Sequence, residues 1–451
     1  MQKLKALLRI LFTFDPSARL DLFTAFPFIR GFFTHRRNIA ALRTFGDVAF
    51  SILIILGLFG PQDPDSNIIL FLAWGIWWAG VVLSWFFVGK LWCGVCPFPG
   101  VGRLLQRLNL SFNLNPPHAL RRFFIHIAVA LFAAIVWAEA VTDLKHRPLG
   151  TALLLLSILA GATIMAILYK GQAWCRYVCP LGKIIGAGAT MSMIELRASP
   201  ELCRNCREIA CKKGRPGLRG CPVYLGAHNV KSSLDCLLCG RCVLLCEKKS
   251  PRLLLRNPFV ELLTRRERNL SFAFIIPFLA GSQWARLVHE SPWYQNLAAS
   301  LPISPILSFS LLLVLCFAFF IGIVNLGNHL LDLHRDDLPA HCSSMVPILT
   351  PLTFSGELAY RLNYLLAEAG QFPAVLSRHF DLVIGSYSFT IPTWFLTSLS
   401  ETVLLLGWSG SFYLMVLFGR RQHGEPAARS ACWLLQLVIS LVALIYMILI
   451  L

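Results

Sequence analysis

Charge is what this sequence has least of. Asp, Glu, Lys and Arg make up 14% of its 451 residues, against about 25% in an ordinary soluble domain. That scarcity excludes a typical soluble enzyme. With 56% hydrophobic residues it excludes a disordered or fibrous chain as well. Acid is scarcer than base: 23 Asp and Glu stand against 41 Lys and Arg, a formal net charge of +18. In so apolar a chain the excess reads as one-sided loop charge beside lipid rather than a nucleic-acid footprint, and no nucleic-acid partner is expected. A small-residue cleavage site is also missing after the basic, apolar residues 1–14, where Asp15-Pro16 stands, so no cleaved signal peptide is expected.

Long apolar runs are abundant. Four in the first half, near 46–60, 68–89, 123–142 and 149–169, approach the roughly 20 residues that cross a bilayer as a helix. Four more fall at 271–289, 303–326, 391–418 and 431–451, and the amphipathic stretch 345–380 stays undecided. The loops 61–67 and 290–302 contain no Lys or Arg, whereas 1–45, 90–122 and 170–270 are rich in them. Lys145 and Arg147, in the turn at 143–148, are a weak contrary signal. The positive-inside bias places the basic segments, including the N-terminus, on the cytoplasmic face of an inner membrane. Residues 1–45 are expected to lie on the anionic leaflet as an amphipathic arm.

Cysteine is the second anomaly: 12 of the 15 fall between Cys93 and Cys246. Cys236-Leu-Leu-Cys239-Gly-Arg-Cys242-Val-Leu-Leu-Cys246 is the C-x2-C-x2-C-x3-C run of bacterial ferredoxins. Cys203-Arg-Asn-Cys206, then Cys211, then Cys221-Pro222 repeats the grammar with insertions, the basic stretch Lys212–Gly217 forming a surface loop inside it. In such pairs the fourth cysteine of each run ligates the other cluster. Cluster one therefore takes Cys203, Cys206, Cys211 and Cys246, and cluster two takes Cys236, Cys239, Cys242 and Cys221: two 4Fe-4S clusters. Structural zinc is the alternative, because C-x2-C pairs also bind zinc. Disulfides do not suit a cytoplasmic face.

Two further pairs lie at the membrane edge. Trp92-Cys93-Gly94-Val95-Cys96-Pro97 ends the second run, and Trp174-Cys175-Arg176-Tyr177-Val178-Cys179-Pro180 follows the fourth. They are repeats: two spans, then Trp-Cys, two or three residues, Cys-Pro. Hairpins of the same sense bring both loops to one face, where Cys93, Cys96, Cys175 and Cys179 can hold a third iron–sulfur cluster or another metal. A redox-active thiol or transient copper site, and inert buried cysteines, remain as alternatives. Cys316, Cys342 and Cys432 are isolated and read as inert.

The fold class expected is an all-α polytopic membrane protein of about eight transmembrane helices, built from paired hairpin repeats, with an inserted small α+β two-cluster ferredoxin-like domain. Its segments are a basic arm (1–45), two hairpins with Cys-Pro loops (46–197), the ferredoxin-like insert (198–256) and a C-terminal transmembrane region (257–451). On Cys175 to Pro180, Cys203 to Cys221 and Cys236 to Cys246, the chain resembles the membrane-bound polyferredoxins. These include the quinol dehydrogenase component of periplasmic nitrate reduction and the membrane half of the nitrous-oxide reductase regulatory electron donor. The resemblance covers about residues 45–255, and Cys93 to Pro97 departs from it by one residue. It implies electron transfer between the quinone pool and a dedicated redox partner protein or complex subunit. Copper or metallocentre assembly is the first rival, and a redox-sensing or scaffold subunit the second.

A quinone site needs an apolar slot, polar groups for the head and a proton route. Ionisable residues in spans are its natural candidates: His126, Glu139 and Glu401, with Arg286, His289 and Glu290 near the outer end of the fifth span. Glu357 and Arg361, four apart, can neutralise each other on one helical face. A haem would need two facing histidines, and His329, His334 and His379 are poorly placed for that.

Overall fold

A computed structural model describes residues 10–11, 15, 17–264, 270–300, 302–332, 345–382, 388–421 and 426–450. Cys342 and His334 lie outside them. Nine long helices are described: α1 (Arg36–Phe59), α2 (Ile68–Val88), α3 (His118–Val141), α4 (Pro148–Leu168), α5 (Leu270–Glu290), α6 (Pro305–Asp332), α7 (Val346–Ala369), α8 (Thr393–Arg421) and α9 (Pro426–Ile450). Proline opens α4, α6 and α9, where its missing N–H would be unpaired anyway.

Among the described residues seven helices are long and apolar enough to cross a membrane: α1 to α4, α6, α8 and α9. That count agrees with the expected all-α polytopic class of about eight spans. The run at 271–289 does form a helix, α5, but Pro277 interrupts it and Arg286 is buried in it. The undecided stretch 345–380 becomes α7 and a short helix, Phe372–Phe380. The polytopic all-α class stands.

The chain divides into two compact units. Unit one comprises Met1–Ile55, Ser84–Ala128 and Leu153–Thr264, and unit two comprises Leu56–Leu83, Val129–Ala152 and Arg265–Leu451. Unit one holds a three-stranded antiparallel sheet of β1 (Leu20–Asp21), β2 (Ile194–Ala198) and β5 (Pro251–Leu255), in the order β1-β5-β2. Its β2–β5 register runs from Ile194 opposite Leu255 to Ala198 opposite Pro251. Leu22 and Phe23 bury themselves with Leu196, Leu238, Val243, Leu253 and Leu255. This part of the basic arm is thus integral to the ferredoxin-like fold rather than a free surface segment. The Lys212–Gly217 stretch is not a plain loop: Gly214–Arg215 (β3) pairs with Leu218–Arg219 (β4) as a hairpin.

Under the sheet, buried Arg256 bonds Glu195 at 2.8 Å and Glu261 at 2.6 Å. Arg197 reaches Glu261 at 3.1 Å, and the hydroxyls of Ser232 and Ser233 donate to the same carboxylate. Burial alone would raise the Glu261 carboxyl, but the two guanidiniums and these donors hold it down to about 2. In unit two, α7 is buried from Val346 through Arg361 apart from Pro347, and packs against α8, α5 and α9.

Candidate metal centres

The insert cysteines separate into two groups of four. Cys203 lies on the short helix Pro200–Arg204, Cys211 on Ala210–Lys213, and Cys246 caps Arg241–Leu245. With Cys206 they line one hollow of about 320 Å³. Cys221, Cys236, Cys239 and Cys242 line a second, narrower one of about 30 Å³, walled by Leu196, Val223, Val230 and Leu237. Each hollow draws three thiols from one run and one from the other.

The local backbone explains how so short a run surrounds a hollow. Ile209 (φ 48°), Leu238 (φ 50°) and Gly240 (φ 71°) take the left-handed conformation, which wraps the chain around the thiols. It also turns backbone N–H groups toward sulfur: Cys236 accepts from Leu238, and Cys211 from Ala227 and His228. Ser250 Oγ stands 3.1 Å from Cys203 Sγ. Burial pushes the Cys236 thiol up to about 12 and raises Cys211 as well, so a cation is needed to hold thiolate there.

Zinc would need its ligands gathered around one ion, with sulfur about 2.3 Å from the metal. Among the described residues no three His, Cys, Asp or Glu side chains gather so. Four thiols spread around one hollow, with N–H groups aimed at sulfur, fit a multi-iron core in which each iron takes one thiolate.

The membrane-edge cysteines also meet. Cys93 lies on the short helix Leu91–Val95 and Cys96 caps it. Cys175 sits in the π-helical turn Trp174–Val178, and Cys179 caps the helix Pro180–Ala189. Cys179 Sγ accepts the Gly182 N–H at 3.2 Å, and Cys96 accepts from Phe98. The residues after the Cys-Pro steps thus supply donors to sulfur, as the prolines suggest. Burial, then charge on one another, raises the Cys96 and Cys175 thiols. Burial also pushes Cys93 to about 12 and raises Cys179.

Two lysines that the sequence shows only as loop charge are buried beside these thiols. Lys90 Nζ donates to the Leu234 carbonyl at 2.8 Å. Lys183 lies 3.8 Å from Asp235 and 4.7 Å from the Phe124 ring centre, and burial lowers it to about 8. The edge loop touches the insert directly. A Cβ on Gly94 would stand 3.0 Å from the Leu237 carbonyl oxygen and 3.1 Å from Cys239 Cα. Cys242 and Cys211, one from each insert group, are within electrostatic reach.

A family model described as a 4Fe-4S binding domain matches residues 70–115 and 151–186. Those segments carry both membrane-edge pairs and none of the eight insert cysteines. An uncharacterised protein of Methanocaldococcus jannaschii is 25% identical over 37% of this chain and 65% of its own length. The ferredoxin-type protein NapH of Escherichia coli is 27% identical over 35% of this chain and 60% of its own. The chain is thus similar to these proteins over about a third of its length, and the 4Fe-4S family model covers its two Cys-Pro segments. The protein NirI of Paracoccus denitrificans is 30% identical over 37% of this chain and 26% of its own length. The chain thus spans less than two thirds of each of these relatives. No solved structure matches it. A 4Fe-4S binding domain match thus falls in a chain with seven helices long and apolar enough to cross a membrane among its described residues.

In unit two, several scattered ionisable residues form one network. Glu357 accepts from Arg286 at 2.7 Å and from Arg361 at 2.9 Å. Glu139 lies 3.5 Å from Arg361, 3.8 Å from Arg286 and 3.5 Å from Lys145. Lys145 reaches Glu290 at 2.9 Å, and the Tyr360 hydroxyl donates to Glu290 at 2.7 Å. Glu139, Arg286, Glu357 and Arg361 are buried, while Glu290 opens outward. His126 and Glu401 stay outside this network. His289 stacks edge-on with Phe309 at 4.9 Å, an aromatic packing role. Tyr360 and Lys145 are the members that sequence reasoning passed over, because neither has a local partner.

Proposed function

We propose that this protein is a membrane-bound polyferredoxin that moves electrons singly between the quinone pool and a dedicated redox partner, with its thiol-bearing unit and N-terminus on the cytoplasmic side of the inner membrane. In this reading cluster one rests on Cys203, Cys206, Cys211 and Cys246, and cluster two on Cys236, Cys239, Cys242 and Cys221. A third centre rests on Cys93, Cys96, Cys175 and Cys179. Bound clusters supply one-electron exchange. The chain holds the thiolates, keeps water out with apolar walls, aims N–H donors at the sulfurs, and keeps the charges of Lys90 and Lys183 within electrostatic reach of the edge thiols.

The observation that carries the reading is the continuity of the three thiol groups within unit one. Cys211 is within electrostatic reach of Cys242, and Cys239 packs on Gly94 of the edge loop. The family match on the edge pairs supports iron there. For quinone, buried Glu139, Arg286, Glu357 and Tyr360 offer polar and proton-bearing groups within an apolar unit.

The test is anaerobic purification with iron, sulfide, zinc and copper counts, and electron paramagnetic resonance before and after adding quinol. About twelve irons supports three clusters and about eight supports two. Reduction by quinol supports the quinone link, and its failure would overturn it. Replacing Cys93 and Cys175 together by Ser should remove about four irons. Copper at the edge pairs in place of iron would favour the assembly-factor reading.

A further inference from the structure

Around cluster two's face of unit one, Arg36, Arg43, Arg107, Arg219, Arg241 and His35 line a cavity of about 190 Å³. No Asp or Glu lines it. Nearby arginines do have acidic partners, as Arg103 has Asp47 at 2.9 Å and Arg256 has Glu195 at 2.8 Å. None of the five pocket arginines pairs with a carboxylate of the described residues. Neutral groups hold three of them instead. Arg43 Nε donates to the Gly94 carbonyl at 2.8 Å, Arg241 Nη1 to Gly220 at 3.3 Å, and Arg219 to Gln106. Carbonyls orient a guanidinium without cancelling its charge. Arg43 and Arg241 repel each other, and Arg103 and Arg107 repel both. Five like charges around one hollow mark a site for an anion.

The position of the hollow says which anion. Arg36 opens α1, a helix apolar enough to cross a bilayer, so the hollow sits where a span enters the headgroup layer. Arg107 ends the helix Gly100–Arg107, and large apolar side chains stand exposed on that helix and after it: Leu104 (54%), Leu108 (59%), Leu110 (58%) and Phe112 (72%). A cationic hollow beside an exposed apolar strip matches the two halves of a phospholipid.

We propose that this pocket binds the phosphate headgroup of an anionic phospholipid, its acyl chains lying along Leu104, Leu108, Leu110 and Phe112. The pocket is independent of how electrons enter or leave, and it places a lipid phosphate beside Cys239. Neutralisation of cluster two's own thiolates needs only the arginines nearest Cys239. It leaves Arg36 and Arg107, whose side chains make no hydrogen bond or ion pair among the described residues, without a role.

The experiment is native mass spectrometry of the full-length protein in detergent. It is titrated separately with cardiolipin, phosphatidylglycerol, phosphatidylcholine and inorganic phosphate. The wild type should retain the two anionic lipids over phosphatidylcholine. The double variant Arg36→Gln/Arg107→Gln, which touches no thiol, should weaken that retention about twenty-five-fold, roughly fivefold per arginine, at unchanged iron content. Equal retention of anionic and zwitterionic lipid would overturn the proposal. So would undiminished anionic-lipid binding in the variant. Tight inorganic phosphate binding without lipid preference would assign the pocket to a soluble oxyanion, and salt-sensitive binding of an acidic ferredoxin in its place would assign it to a protein.

Discussion

Gly94→Ala tests the contact between the membrane-edge loop and the insert. The new Cβ would stand 3.0 Å from the Leu237 carbonyl oxygen, 3.1 Å from Cys239 Cα and 3.4 Å from Cys239 N. All three are backbone atoms of the tight turn between Cys236 and Gly240, so no side chain can rotate away. The loops must separate by a few tenths of an ångström, and the Gly94 carbonyl that receives Arg43 Nε at 2.8 Å moves with them. Overpacking of this kind costs about 1–3 kcal/mol. Thermal unfolding of anaerobic protein in detergent should show that loss at unchanged iron content, because no thiol is altered. Magnetic coupling between the edge centre and cluster two should weaken in the paramagnetic resonance spectrum of the reduced protein. An unchanged melting temperature together with an unchanged spectrum would refute the proposal that these loops form one electron path.

Further outcomes follow from the same geometry. Cys236→Ser should remove one cluster signal and about four irons while the other signal persists; loss of neither would contradict the ligand sets. Glu261 is held at about 2 against an ordinary 4.5, so its contribution of about 3 kcal/mol is full above pH 4.5 and lost as pH falls toward 2. The stability gap between wild type and Glu261→Gln should close over that range, and a pH-independent gap would refute it. Glu357→Gln leaves Arg286 and Arg361 to share Glu139 alone and should destabilise by about 3–5 kcal/mol in detergent melts. Glu401→Gln, outside the network, should stay within about 0.5 kcal/mol.

What the sequence disclosed follows from how local each signal is. The Cys236–Cys246 ladder is legible because its four ligands lie within three helical turns of chain, and the edge pairs because they repeat 82 residues apart. Glu357 with Arg361 is legible as a four-residue helical spacing, and the structure joins them at 2.9 Å. Their pairing with Glu139 and Arg286 is not, since those partners come from α3 and α5 and no pattern links the three helices. Lys90 looks like any basic loop residue until burial next to Cys93 sets it apart. The strand at Leu20–Asp21 is too short for any alternation to announce it, and only its register with Leu254 and Leu255 reveals it. α5 and α7 escaped a clean reading for a related reason: buried ion pairs offset their charged residues, and hydropathy cannot see pairing.

The two-residue strand has a consequence for how the molecule is made. Leu20 leaves the ribosome before the first membrane helix, and its partner Leu255 after the fourth. The sheet can therefore close only when both hairpins have been threaded and the last ligand, Cys246, has been synthesised. Until then β5 has no neighbour on that flank, and Leu22 and Phe23 have no Leu253 or Leu255 to pack against. Closure of this small core is therefore a late event in biogenesis, although one of its strands is made before any span.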